Sequence, residues 1–163
     1  MSKILVVDID ETLVYSVRPL PESIKFEFAG CSVWTCPRPG AHQFLQEARK
    51  EGWVIISVTQ GVVPFQEKVL AACGLLGYFD GIFGWADTNK TEVLRPVGLD
   101  SHNFVMVDNR SYDDWILQEK QGWMGVEFDP EVNFVECEDW VGHEVPCLTT
   151  LLPRIKQLMD AQS

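Results

Sequence analysis

The stretch Ile4-Leu5-Val6-Val7-Asp8-Ile9-Asp10-Glu11-Thr12-Leu13-Val14 decides the fold. Its four leading apolar residues read as a short strand buried on both faces, the kind that parallel sheets favour. The run then presents acids at its carboxyl tip, and two carboxylates held that close repel each other unless something compensates. Asp8 and Asp10 stand two positions apart. As the strand unwinds into a loop both can approach one point, where a hard cation such as Mg²⁺ would supply the missing charge. Taken alone the pair is weak evidence, because acids commonly end strands in turns.

Further along, Phe104-Val105-Met106-Val107-Asp108-Asn109 is a second apolar strand, ending in an acid and an amide and followed by Asp113 and Asp114. If the two strands are neighbours in a parallel sheet, their tips make one oxygen-lined metal site. Val54-Ile55-Ile56-Ser57-Val58-Thr59-Gln60-Gly61 is a third apolar strand. Its last residue, Thr59, offers a hydroxyl that can bond a phosphate oxygen, although Thr is also simply a good strand residue. Lys90 precedes the Phe104 strand and can bring an ammonium to the same edge, while a lone Lys is as a rule solvated surface.

Ile82-Phe83 and Met124 to Phe128 read as further strands, and helical-period segments alternate with them. A first helix follows Pro39, which suits a first turn, and aligns Ala41, Phe44, Leu45 and Ala48 before Gly52. A second sets Phe65, Val69, Leu70 and Cys73 inward and stops at Gly74. A third covers Ser111 to Gln121. The last turns Leu151, Leu152, Ile155, Leu158 and Met159 inward, with Pro153 tolerable in its first turn. This alternation predicts an α/β fold, a Rossmann-like parallel sheet with helices on both faces. One segment breaks the rhythm. Ile24, Phe26 and Phe28 alternate with Lys25 and Glu27, Ala29-Gly30 offers a turn, and Val33 to Cys36 follows, so a small β-hairpin flap spans about 22–36. It stands above the carboxyl edge, where open α/β sheets bind ligands. Between Glu127 and Asp139 lie six acids and no base, read as a solvated surface connection.

The 163 residues fit one domain, expected to span 1–163 with no large cap domain and a C-terminal extension at about 130–163. A net charge of −11 repels phosphate backbones at long range and weighs against nucleic-acid and anionic-membrane partners. No apolar run is long enough to span a membrane. The start lacks the apolar core of a secretory signal, so a cytoplasmic location is expected. Five cysteines at 31, 36, 73, 137 and 147 do not suggest a disulfide framework. Cys137, His143 and Cys147 lack the paired C-x-x-C spacing of structural zinc, so the cysteines read as small buried hydrophobes.

The order Asp8-x-Asp10-x-Thr12, strand-end Thr59, Lys90 and strand-end Asp108-Asn109 resembles the four-motif pattern of the haloacid-dehalogenase-like phosphatases. Within that superfamily, Asp8 to Val14, Arg38-Pro39-Gly40 and Val107-Asp108-Asn109 are most similar to the branch containing the RNA-polymerase C-terminal-domain phosphatases. The resemblance runs over residues 3 to 128. It implies a Mg²⁺-dependent phosphomonoester hydrolase with an aspartyl-phosphate intermediate, in which Asp8 is the nucleophile and Asp10 the general acid and then base. Thr59 and Lys90 would hold the phosphoryl group. Mg²⁺ would be held by Asp8, the Asp10 carbonyl, and Asp108 or Asn109. The implied partner is a phosphorylated small molecule or phosphopeptide. Arg110-Ser111 departs from the Ser-Pro common at that place in the protein phosphatases, and Arg110 can reach a ligand's anionic end as readily as it can stay solvated. The rival readings are a nucleotide or polynucleotide-end phosphatase, and a non-catalytic binding module.

Overall fold

The computed structural model describes residues 2–59, 61–84, 99–100, 102–110 and 129–162. Five strands make one parallel sheet: β1 (Ile4–Val7), β5 (Val54–Thr59), β6 (Gly81–Gly84), β7 (Phe104–Asp108) and β8 (Phe134–Glu136), in the order β6-β5-β1-β7-β8. A second, antiparallel sheet is formed by β2 (Val14–Tyr15), β3 (Ile24–Phe28) and β4 (Cys31–Pro37), in the order β2-β4-β3. The helices are α1 (Ala41–Lys50), α2 (Val63–Ala72), the single turn α3 (Pro130–Asn133) and α4 (Leu152–Ala161).

The central position of β1 follows from its sequence. All four of its residues are buried, so both faces of the sheet are covered there. Leu5 and Val7 join Ile55, Val105 and Val107 in a core with Phe44 and Leu45 of α1, Val69 and Leu70 of α2, and Ile155 and Leu158 of α4. Ile4 and Val6 face the other way, into a smaller cluster with Ile56, Val58, Phe104 and Met106. The sheet is thus a Rossmann-like α/β layer flanked by helices. Among the described residues no helix is long and apolar enough to cross a membrane.

The hairpin expected at 22–36 is present as β3 and β4, running from Ile24 to Pro37. It rests on α2, where Phe65 packs edge-on against Phe28 at 5.2 Å and tilted against Phe26 at 6.2 Å between ring centroids. The far end of β4 also pairs with Val14-Tyr15, which welds the flap to the loop leaving β1.

Two local readings are corrected. Pro39 is not in the first turn of α1, because the helix begins at Ala41 after Gly40, whose φ is +84°. The Ala41 N–H reaches back to the Arg38 carbonyl, so Pro39-Gly40 is the bend between strand and helix. The acidic stretch up to Asp139 is more than a surface connection. Phe134-Val135-Glu136 pairs in parallel with β7, and Phe134, Val135, Cys137 and Trp140 are buried. Helix Ser111 to Gln121, strand Met124 to Phe128 and Lys90 lie outside the described residues.

Gly40 is needed twice over, since a Cβ there would enter the left-handed region and collide with the Cys147 sulfur. Gly40→Ala should lower stability in urea unfolding by about 1–2 kcal/mol for the backbone term alone, and by more once Cys147 is displaced.

Candidate active site

Parallel pairing settles which strand ends meet. β1 is hydrogen-bonded to β5 on one side and to β7 on the other, with Leu5 opposite both Ile55 and Val105. Residues at or just past the ends of these three strands therefore share one edge, and Asp8, Thr59 and Asp108-Asn109 are brought together there. The Asp8 N–H bonds the Val107 carbonyl at 3.0 Å, carrying the β1–β7 pairing one residue beyond the strand. A polar cavity of about 60 Å³ opens at this edge, lined by Asp8, Asp10, Glu11, Thr59, Gly61, Asn109 and Arg110.

The loop after β1 is wound tightly around one carbonyl. The N–H groups of Thr12, Leu13 and Val14 all point at the Ile9 oxygen, at 3.3, 2.9 and 3.2 Å. Such a turn forces Glu11 to φ +59°, a left-handed conformation that costs a non-glycine residue free energy. The surroundings hold it there. The Glu11 N–H donates to Val14 O, and its carbonyl accepts the Trp140 N–H, both at 2.8 Å.

Thr12 is fully buried at the centre of this loop, and its hydroxyl lies 3.2 Å from both Asp8 Oδ2 and Asn109 Oδ1. One hydroxyl so links the β1 tip to the β7 tip. Its main-chain carbonyl accepts from Nη1 of Arg38, a buried guanidinium that also bonds the carbonyls of Glu138 and Pro146. The Asn109 amide donates to Asp139 Oδ1 at 2.7 Å. Asp108 is fully buried behind the cavity, and its Oδ1 accepts the Arg110 N–H at 3.0 Å.

Asp10 turns toward α2, where Gln66 Nε2 donates to its Oδ2 at 2.8 Å. Gln66 is itself buried, and it can approach only because residue 61 is glycine, since a Cβ there would stand 2.6 Å from Nε2. Burial pushes the Asp10 carboxyl above its ordinary range, and the Gln66 bond draws it partly back. The Glu11 carboxyl is also raised, by burial and by the charges of Asp10 and Asp139, against the opposing pull of Arg110. Thr59 Oγ1 accepts the Gly61 N–H at 3.0 Å, which leaves the hydroxyl proton to point elsewhere.

Of the residues singled out from sequence, Asp8, Asp10, Thr59 and Asn109 line the cavity, Asp108 stands directly behind it, and Lys90 lies outside the described residues. Gln66 and Trp140 were not foreseen, and Arg38, noted only within Arg38-Pro39-Gly40, was not read as a site residue. Gln66 looks like any polar residue of an amphipathic helix, and only its place on the inward face, beside Val69 and Leu70, sets it apart.

The chain was compared with known families and structures. The family model described as NLI interacting factor-like phosphatase matches residues 3–162. That match runs through the C-terminal stretch, beyond the motifs read from sequence. A search of curated proteins finds no match. Two solved structures are similar in fold. One is the crystal structure of an uncharacterized protein from Listeria monocytogenes serotype 4b, 17% identical with a TM-score of 0.58, covering 98% of this chain and 99% of that one. The other is the NMR structure of the core domain of a candidate phosphoglycolate phosphatase from Streptococcus pneumoniae TIGR4, 22% identical with a TM-score of 0.52, covering 96% of each. At such identity they speak to the fold alone, whereas the family match takes in nearly every residue: the chain belongs to the NLI interacting factor-like phosphatases, within the haloacid-dehalogenase-like superfamily.

Proposed function

We propose that this phosphatase hydrolyses phosphomonoesters through a covalent aspartyl-phosphate on Asp8, with Mg²⁺ as its cofactor. The observation that carries the reading is the convergence of Asp8, Asp10, Thr59 and Asn109 on one polar cavity at the tips of β5, β1 and β7. The donors available are oxygen atoms, which suit a hard cation. The proposed ligands are Asp8, the Asp10 main-chain carbonyl, and Asp108 or Asn109, a set that mixes side chains with a carbonyl; among the described residues no three His, Cys, Asp or Glu side chains form a metal-holding group by themselves. Bound there, Mg²⁺ would neutralise phosphoryl oxygens and lower the repulsion between an anionic ester and an anionic nucleophile.

The remaining work falls to the chain's own groups. The Thr12 hydroxyl fixes the rotation of the Asp8 carboxylate. An Asp8 oxygen attacks phosphorus as the ester P–O bond breaks, and Asp10 gives its proton to the departing oxygen. Burial suits Asp10 to that task, because its proton is retained above the ordinary carboxylate range. Asp10, now a carboxylate, then takes a proton from water as the water oxygen attacks phosphorus. The bond to Asp8 breaks and inorganic phosphate leaves. Thr59 donates its free hydroxyl proton to a phosphoryl oxygen, and Lys90 remains a proposed second contact. The cavity of about 60 Å³ takes little more than the phosphoryl group, so the organic part of the substrate, a small molecule or a phosphopeptide side chain, lies outside it. A cytoplasmic setting is part of the proposal, in which the five cysteines would stay reduced.

Hydrolysis of p-nitrophenyl phosphate should stop in EDTA and return with Mg²⁺, and Ca²⁺ should inhibit; activity indifferent to EDTA would refute the metal assignment. Asp8→Asn should lower kcat by about 10³-fold or more with little change in the unfolding midpoint.

Asp10→Asn should preserve Mg²⁺ binding yet lose about 10²–10⁴-fold in the phosphorylation step. The loss should be smallest for p-nitrophenyl phosphate, whose leaving group needs little protonation, and largest for phosphoserine. Equal losses on both substrates would place Asp10 in positioning instead.

Gln66→Leu removes a donor that favours the charged form of Asp10. The Asp10 pKa should rise further, so the alkaline limb of the kcat/KM profile, where the general acid loses its proton, should move to higher pH. A limb that stays or moves down would separate Asp10 from that titration.

A further inference from the structure

A second and larger cavity, of about 410 Å³, shares no lining residue with the first. Its volume is within the usual range of a small-ligand site, ~300–1,000 Å³. Three separate pieces of chain build it: the 20–22 segment after β2, the β4–α1 bend, and the stretch from Trp140 to Val145. The two cavities are near neighbours in the chain. Asp139 holds Asn109 at the catalytic edge, while Trp140, the next residue, bonds the Glu11 carbonyl through its N–H and lines the larger cavity.

The lining has a definite chemistry. Leu20, Pro21, Trp140 and Val145 give it apolar walls, and the Trp140 ring is fixed edge-on against Tyr15 with its indole N–H bonded to the His143 carbonyl. The charged residues are Glu22 and Glu144, both exposed, and among the described residues no Lys or Arg lines the cavity. At the wall the Cys36 thiol is raised, by burial first and by the charge of Glu22 second. An anionic or purely apolar ligand would leave the acidic rim uncompensated. A cation on an apolar stem satisfies both parts, with the stem against the Leu20, Pro21 and Val145 lining and the charge at the acidic rim.

We infer that this cavity is a second binding site, separate from the catalytic cavity, for a small molecule carrying an ammonium or guanidinium head on an aryl or alkyl body. The apolar walls supply affinity and the two glutamates supply selection by charge.

The full-length protein can be titrated with three matched probes, 2-phenylethylammonium, 2-phenylethanol and phenylacetate, following the Trp140 indole N–H resonance. The ammonium probe should shift that resonance at lower concentration than the alcohol, and phenylacetate should leave it in place. The double variant E22Q/E144Q should weaken the ammonium probe about threefold to tenfold, as expected for two exposed carboxylates, and leave the alcohol unchanged. Raised salt should reproduce that loss in the wild type. Asp8→Asn should leave binding intact. Equal binding of ammonium and alcohol, the same Kd in the double variant, loss of binding in Asp8→Asn (which would put the probe in the catalytic cavity), or no shift at tens of millimolar would each overturn the assignment.

Discussion

Everything at the catalytic edge depends on β1 lying between β5 and β7. That pairing requires a strand apolar on both faces, and Ile4 to Val7 supplies one. It also has an electrostatic cost, because the tips of β1 and β7 bring Asp8, Asp10 and Asp108 into one region together with Glu11. Carboxylates so gathered repel. The chain offsets this with hydrogen-bond donors: the Thr12 hydroxyl to Asp8, Gln66 to Asp10, and the Arg110 N–H to Asp108. What remains of the negative potential is what a bound cation would neutralise.

The donors need fixing in turn, and much of that is done by residues late in the chain. Arg38 joins the Thr12 carbonyl to those of Glu138 and Pro146, so one buried guanidinium spans the loop after β1 and the C-terminal stretch. Its planar fork suits three acceptors in a way that a lysine ammonium would not. Trp140 supports the strained Glu11 from its carbonyl side, and Asp139 steadies Asn109. The unfavourable φ of Glu11 persists because these contacts over-determine it.

The sheet and the main carboxylates were legible because they are written in local pattern. Continuous apolar runs ending in Asp8, Thr59 and Asp108 mark buried parallel strands and their tips, and alternation in Ile24 to Phe28 marks the hairpin. β8 was not legible. Phe134-Val135-Glu136 is too short to assert a period, and its acidic flanks read as solvent-exposed, while its place is set by pairing with β7. Gln66, Arg38 and Trp140 were hidden as site residues for the same physical reason: each acts on an atom 26 to 129 positions away, through bonds to Asp10, Thr12 and Glu11, and such contacts leave no mark on nearby sequence. Pro39 misled because it favours both a first helical turn and the second place of a bend, and Gly40 decided for the bend.

The bond from Trp140 back to Glu11 also orders events during synthesis. The loop after β1 is made before the backbone partner that steadies it, which comes 129 residues later. Contacts of such long range form late and slowly. A nascent chain with β1 to β7 already assembled would thus carry every strand-tip carboxylate while its loop still lacked the Trp140 bond. Completion of the loop is tied to emergence of the C-terminal stretch, so a chain truncated before Asp139 would lack both the Trp140 bond to Glu11 and the Asp139 bond to Asn109.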